Sequence, residues 1–158
     1  MRTRILVLFA VAVGAFVVGG GVVVAGQPVG FSASVKASGT IAKATEIGAN
    51  GIEFQSRKNA TVIVQEGNFQ PSGSSGWHTH PGLTVVTVTS GTVINHTRCH
   101  VTTYTVGQSF VEPPKTLILV DNASSTATAQ VYSVLVVPEG MPARNSNVTP
   151  PDCTHPKD

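Results

Sequence analysis

Between residues 51 and 137 the sequence is a succession of short segments rich in Val, Thr, Ile, Phe and Tyr, broken every ten residues or so by Gly, Pro, Asn or Ser. No other feature constrains the fold as strongly. β-Branched and aromatic side chains suit a pleated, half-buried surface, and the breakers mark turns. The spacing predicts strands over residues 51–55, 61–66, 77–80, 83–89, 92–95, 101–105, 109–112, 117–121 and 126–137. Residues 67–76, 90–91, 107, 113–114 and 122–125 separate them as loops or turns. No window carries a sustained i, i+3, i+4, i+7 apolar pattern, so helices are not expected there. Many short strands at regular spacing mean a sandwich or barrel, closed or doubled to hide its edges. Residues 26–50 are small and polar, with Val35, Ile41 and Ile47 as scattered anchors, and should form one or two short strands or a turn of helix. At 158 residues the chain suits one domain: a barrel over 51–140 and a Pro-rich tail over 141–158.

Ahead of this body, Arg2 and Arg4 precede an uncharged apolar stretch from Ile5 to Ala25. A short positive region followed by an apolar run is the pattern of a secretory signal, and Val23 and Ala25 place the expected cleavage after Ala25. The alternative is a retained helical anchor over residues 5–25, close to the ~20 residues that span a bilayer. Against it, Gly14, Gly19, Gly20 and Gly21 weaken a helix and no positive cluster follows. Both readings export the body: secreted in the first, anchored at the membrane in the second.

Charge supports this division. The formal net charge of +2 arises from 10 Lys and Arg against 8 Asp and Glu, and two of those cations are Arg2 and Arg4. The body is thus formally neutral and has no basic run, so no nucleic-acid partner is expected. In an oxidising compartment the two cysteines, Cys99 and Cys153, are expected to form a disulfide that ties the tail to the body. The competing reading, a Cys99–His100 metal or redox pair, lacks a second nearby cysteine.

One segment stands apart, Gly76-Trp77-His78-Thr79-His80-Pro81-Gly82. Residues two apart in a strand face the same side, so His78 and His80 aim at one place. Neutral imidazole is the commonest side-chain ligand for first-row transition metals. A polar pair without metal is the competing reading.

The stretch from about Thr61 to Gly140 resembles a cupin, the small jelly-roll barrel superfamily. Its first motif reads G, five residues, H-x-H, three or four residues, E, six residues, G. Here Gly73 opens it one residue short, His78 and His80 follow, Thr84 stands at the Glu position and Gly91 closes it. The second motif reads G, five residues, P-x-G, two residues, H, three residues, N. Gly107, Pro113 and Asn122 match, while Lys115 replaces the glycine and Ile118 the histidine. The resemblance implies a single-domain, all-β jelly-roll barrel. It also implies a metal centre built from two histidines, the Glu and a third histidine. This chain keeps His78 and His80 but has Thr84 and Ile118 at the other two positions. Two imidazoles alone hold a divalent metal poorly, so another residue must complete the site. Glu112 is the best candidate because the second motif approaches the site, ahead of Glu66, Asp121, His96 and His100. The last two are expected in a rim loop.

Weaker signals are Ser74 and Ser75 beside His78, which lack a partner acid for nucleophilic chemistry, and glycosylation sequons at Asn59, Asn95, Asn122 and Asn147. Asn122 is better read as the turn residue of the second motif, and Trp77 as a core residue facing away from His78. Two functions compete. In one, His78, His80 and Glu112 hold Fe, Mn, Zn, Ni or Cu for chemistry on a small molecule in the barrel. In the other, a non-catalytic cupin binds a small ligand or serves a structural role without metal. Either leaves room for a homodimer, and the membrane is a partner only if the leader is retained.

Overall fold

In a computed structural model, described over residues 26–43 and 45–153, the chain forms ten strands and no helix. They are β1 (Val29–Ile41), β2 (Thr45–Ala49), β3 (Ile52–Ser56), β4 (Ala60–Ser74) and β5 (Leu83–Ser90). Then come β6 (Thr92–Thr97), β7 (His100–Thr105), β8 (Ser109–Glu112), β9 (Ile118–Asn122) and β10 (Ala129–Pro138). The expected leader and its cleavage site after Ala25 lie outside the described residues. Among those described, no helix is long and apolar enough to cross a membrane.

All pairings are antiparallel. One sheet runs β7-β6-β9-β4-β10-β5-β8, with β1 added along β4, while β2 and β3 form a separate hairpin. The β4–β9 junction consists of the single pair Ser74↔Asp121. The sheet therefore bends there into two layers, β1-β4-β10-β5-β8 against β7-β6-β9. Side chains from both layers fill the space between them: Phe69, Val86, Val88, Phe110, Ala129 and Val131 meet Val93, Ile118 and Val120, with Phe31 and Tyr104 at the margin. This is the jelly-roll barrel that the sequence predicts.

Strand β10 shows how the pattern produces the layer. Ala129, Val131, Ser133, Leu135 and Val137 point inward and are buried, while the alternate residues face out. Burying each Val or Leu contributes about 1.5–3 kcal/mol. Two ring pairs close the margins: Phe31 on Phe69, with centroids 4.6 Å apart, and Tyr104 stacked on Phe110 at 4.5 Å. Gly91 turns β5 into β6 at φ +74°, and a Cβ there would stand 2.8 Å from the Thr128 carbonyl oxygen, so the tight turn needs glycine.

Four expectations change. Residues 67–76, expected as a loop, are strand as far as Ser74, because β1 runs beside them from Val29↔Ser74 to Ile41↔Ala60. The N-terminal segment is not a pair of short strands or a helical turn. It is the 13-residue β1 followed by β2. His96 and His100, expected in a rim loop, lie in β6 and β7. Residues 77–80 are not a ladder strand but a connection pinned by single bridges, His78↔Ile118 and Thr79↔Asn145.

Candidate metal centre

The segment carrying His78 and His80 is held from both sides by backbone bonds. His78 N–H donates to the Ile118 carbonyl and Ile118 N–H donates back, both at 2.9 Å. On the other flank the tail pairs with it: Thr79 N–H donates to Asn145 O at 3.0 Å, and Asn145 N–H to Thr79 O at 2.9 Å. Lys115 N–H donates to His80 O at 2.8 Å, joining the second-motif turn to the first motif. At the family's glycine position Lys115 takes φ 60°, so the left-handed turn is kept at the expense of backbone strain that glycine would avoid. Ile118, at the family's histidine position, is fully buried and contributes its backbone to this clamp.

Both histidines are buried, with ring centroids 4.9 Å apart and planes nearly perpendicular. His78 Nδ1 lies 2.9 Å from Gly76 O, and His80 Nδ1 lies 2.7 Å from Ala143 O. A carbonyl can only accept, so each Nδ1 carries a proton and Nε2 is the nitrogen left to face a ligand. Burial, reinforced by the charge of Arg144, pushes His78 down to about 3, so it stays neutral throughout the physiological range.

Glu112 completes the cluster. Along β8 the alternation places Phe110 and Glu112 inward. Phe110 enters the core, and the same parity brings the carboxylate to the histidines, with Oε2 3.0 Å from His80 Nε2. His78, His80 and Glu112 offer one ligand atom each, all within 4.8 Å of one another, and all three residues are buried. Glu112 sits directly across the ladder from Thr84, the residue at the family's Glu position. The carboxylate is thus supplied from the neighbouring strand.

These residues fit a divalent transition metal. Two neutral imidazoles and one carboxylate are the donor set of facial-triad and related sites. Three protein ligands also leave positions open for a substrate or water. Because His80 Nδ1 already bears a proton, the 3.0 Å approach of Nε2 to Glu112 brings together two acceptors, and a proton or a cation must lie between them. Thr84 Oγ1, buried in the same wall, has no hydrogen-bond partner. A buried hydroxyl left alone is costly, which marks the cavity as a place for a polar guest. The cavity measures about 100 Å³, and its walls include Phe31, Phe69, Val86, Val131 and Leu135.

The other candidates lie elsewhere. Glu66 is on the outer face, where the Tyr132 hydroxyl at 2.7 Å, with Asn68 and Lys36, holds its carboxyl down to about 2. Asp121 stands 3.1 Å from His96, and Trp77 meets His96 edge-on at 6.3 Å. Trp77 is only half-buried there, in place of the core position expected for it. His100 is exposed. Ser75 is engaged structurally: its hydroxyl donates to Gly76 O and accepts from Val120 N–H. Asn122 ties its turn, donating to Gln70 O and Ala127 O and accepting from Ser124 N–H. Cys99 and Cys153 form the expected disulfide, 54 residues apart in sequence.

One residue at the site has no signal in the motifs. Arg144 lines the cavity from the tail, donating from Nη2 to Ser75 O at 2.9 Å and from Nε to Ser146 Oγ at 3.0 Å. Desolvation lowers its pKa and the charge of Glu112 opposes the shift. The available hint was a lone arginine in a tail that a disulfide was expected to return to the body.

Residues 65–137 match the family model described as a cupin domain. No curated protein matches the chain. Among solved structures, a cysteine peptidase from Thevetia peruviana latex aligns at 22% identity with a TM-score of 0.48, covering 54% of this chain and 55% of that one. A recombinant oxalate oxidase in complex with glycolate aligns at 19% identity and TM-score 0.44, covering 47% and 41% respectively. The chain therefore spans about half the length of these two. A cupin-like protein from Thermotoga maritima aligns at 19% identity and TM-score 0.46, covering 56% of this chain and 75% of that one.

Proposed function

From a chain that belongs to the cupin superfamily through its domain at residues 65–137, we propose an exported protein that binds one divalent transition metal at His78, His80 and Glu112 and uses it on a small molecule held in the barrel. The observation that carries this reading is the convergence of three buried ligand atoms within 4.8 Å, beside a buried hydroxyl that lacks a partner. When bound, the metal would supply Lewis acidity for the guest, or a redox centre if it is Fe, Mn or Cu. The protein's part is to hold both imidazoles in the right tautomer through Gly76 O and Ala143 O, and to keep water scarce with an apolar wall. The Cys99–Cys153 disulfide supports export, since such bridges persist in oxidising compartments.

Elemental analysis of untagged protein tests the metal. Wild type should carry close to one equivalent, and the double variant His78→Ala/His80→Ala almost none, with circular dichroism verifying that the barrel persists. Equal, sub-stoichiometric metal in both would end the reading. Mass spectrometry of the mature N-terminus tests export separately. A chain starting near residue 26 is expected, and one starting at Met1 counts against cleavage.

A further inference from the structure

The cavity contains a recognition element that a metal site does not require. Of the described residues lining it, Arg144 alone carries a permanent positive charge. It is not a surface arginine that happens to fold inward. Its Nη2 is fixed on Ser75 O and its Nε on Ser146 Oγ, and the neighbouring residue Ala143 supplies the carbonyl that orients His80. A guanidinium has five N–H donors, and these two bonds leave three.

Charge bookkeeping shows what those donors await, and it rests on the metal reading above. A cation held by both Nε2 atoms requires neutral imidazoles, so a divalent cation, Glu112 and Arg144 leave two surplus positive charges beside Phe, Val and Leu side chains. Surplus charge in an apolar wall is unfavourable unless compensated. A neutral guest leaves the imbalance in place and an anionic guest reduces it. The fork of a guanidinium also matches the two oxygens of a carboxylate.

Size narrows the class further. A cavity of about 150 Å³ accommodates benzene, with its six non-hydrogen atoms, so one of about 100 Å³ suits a guest of roughly four or five non-hydrogen atoms. The walls of Phe31, Phe69, Val86, Val131 and Leu135 favour a short apolar body over a fully polar one such as inorganic phosphate. We propose that the cavity selects a small monocarboxylate, and that Arg144 is the residue that recognises its carboxylate group.

The test uses full-length protein loaded with cobalt(II), whose visible spectrum reports ligands near the metal. Acetate, propionate, acetamide and inorganic phosphate are titrated into wild type, Arg144→Gln and Arg144→Lys. Wild type should bind acetate and propionate at least about tenfold more tightly than acetamide or phosphate. The Arg144→Gln variant should lose about 10–100-fold in carboxylate affinity, the range expected for a charge-assisted pair. Its thermal midpoint should fall modestly with the loss of the bonds to Ser75 O and Ser146 Oγ, its cobalt stoichiometry should hold at a temperature where circular dichroism shows the barrel folded, and Arg144→Lys should recover part of the carboxylate loss. Equal affinities for acetate and acetamide, tighter binding of phosphate, or undiminished acetate binding by Arg144→Gln with cobalt in place would each overturn the proposal and leave the metal reading standing. Failure of wild type to take up cobalt would sink the metal reading instead. Calorimetric titration of the metal-free protein with the same probes would then judge Arg144, and absence of carboxylate-selective binding would overturn its role.

Discussion

Acidification should unfold the metal-free protein partly through His78 alone. Its folded value lies near 3 against an ordinary 6.5, so between those pH values the unfolded chain takes up a proton that the folded chain refuses. The sign follows directly: this contribution leaves stability intact above pH 6.5 and erodes it progressively down to about pH 3. From the two values, lowering the pH from 7 to 5 removes about 2 kcal/mol on account of this residue. Urea denaturation in the presence of a chelator measures it, comparing wild type with His78→Asn at both pH values. Subtracting the two pH effects cancels the titrating groups that do not interact with His78, and the variant should lose about 2 kcal/mol less than wild type. Equal losses would refute the claim that burial keeps this imidazole neutral. With metal bound the acid sensitivity should grow, because protonation must then also displace a cation.

Thr84→Val should stabilise the metal-free fold by about 1 kcal/mol in urea titrations, since it replaces a buried hydroxyl without a partner by a methyl of the same shape. Lys115→Gly should raise stability by about 0.5–1 kcal/mol, because relief of the left-handed backbone outweighs the added chain entropy; a thermal midpoint lower than wild type would contradict this. Cys153→Ser should cost on the order of 4 kcal/mol by loop-closure entropy. It should also weaken metal affinity, measurable by chelator competition, because the untied tail carries Ala143.

The barrel was legible in the sequence because alternation is a local signal. Residues 109–112 form the strand expected of them, and the same alternation that buries Phe110 also buries Glu112. From sequence alone Glu112 is favoured by its place in the second motif, and its parity stays open because a bulge would turn it outward; β8 has none between Phe110 and Glu112. β1 was not legible for a physical reason. It is an edge strand whose Val35 is exposed and whose main core contact is Phe31, so ladder bonds to β4 make it a strand without hydrophobic periodicity. The extension of β4 through 67–74 depends on that same partner. Arg144 was hidden because its position is set at long range, by the Thr79–Asn145 bridge and the disulfide, in a Pro-rich stretch with no pattern of its own.

The bond from His80 Nδ1 to Ala143 O spans 63 residues of sequence, and it gives the centre an order of assembly. A ribosome would expose His78 and His80 long before residue 143 emerged, and contacts of such separation form late in folding. Until the tail docks, His80 Nδ1 lacks its carbonyl partner while His78 keeps the local bond to Gly76 O, so a metal arriving early would meet only one oriented imidazole. On the proposed reading, the choice of metal would thus belong to the finished fold and to whichever ions surround the protein once its tail is fastened.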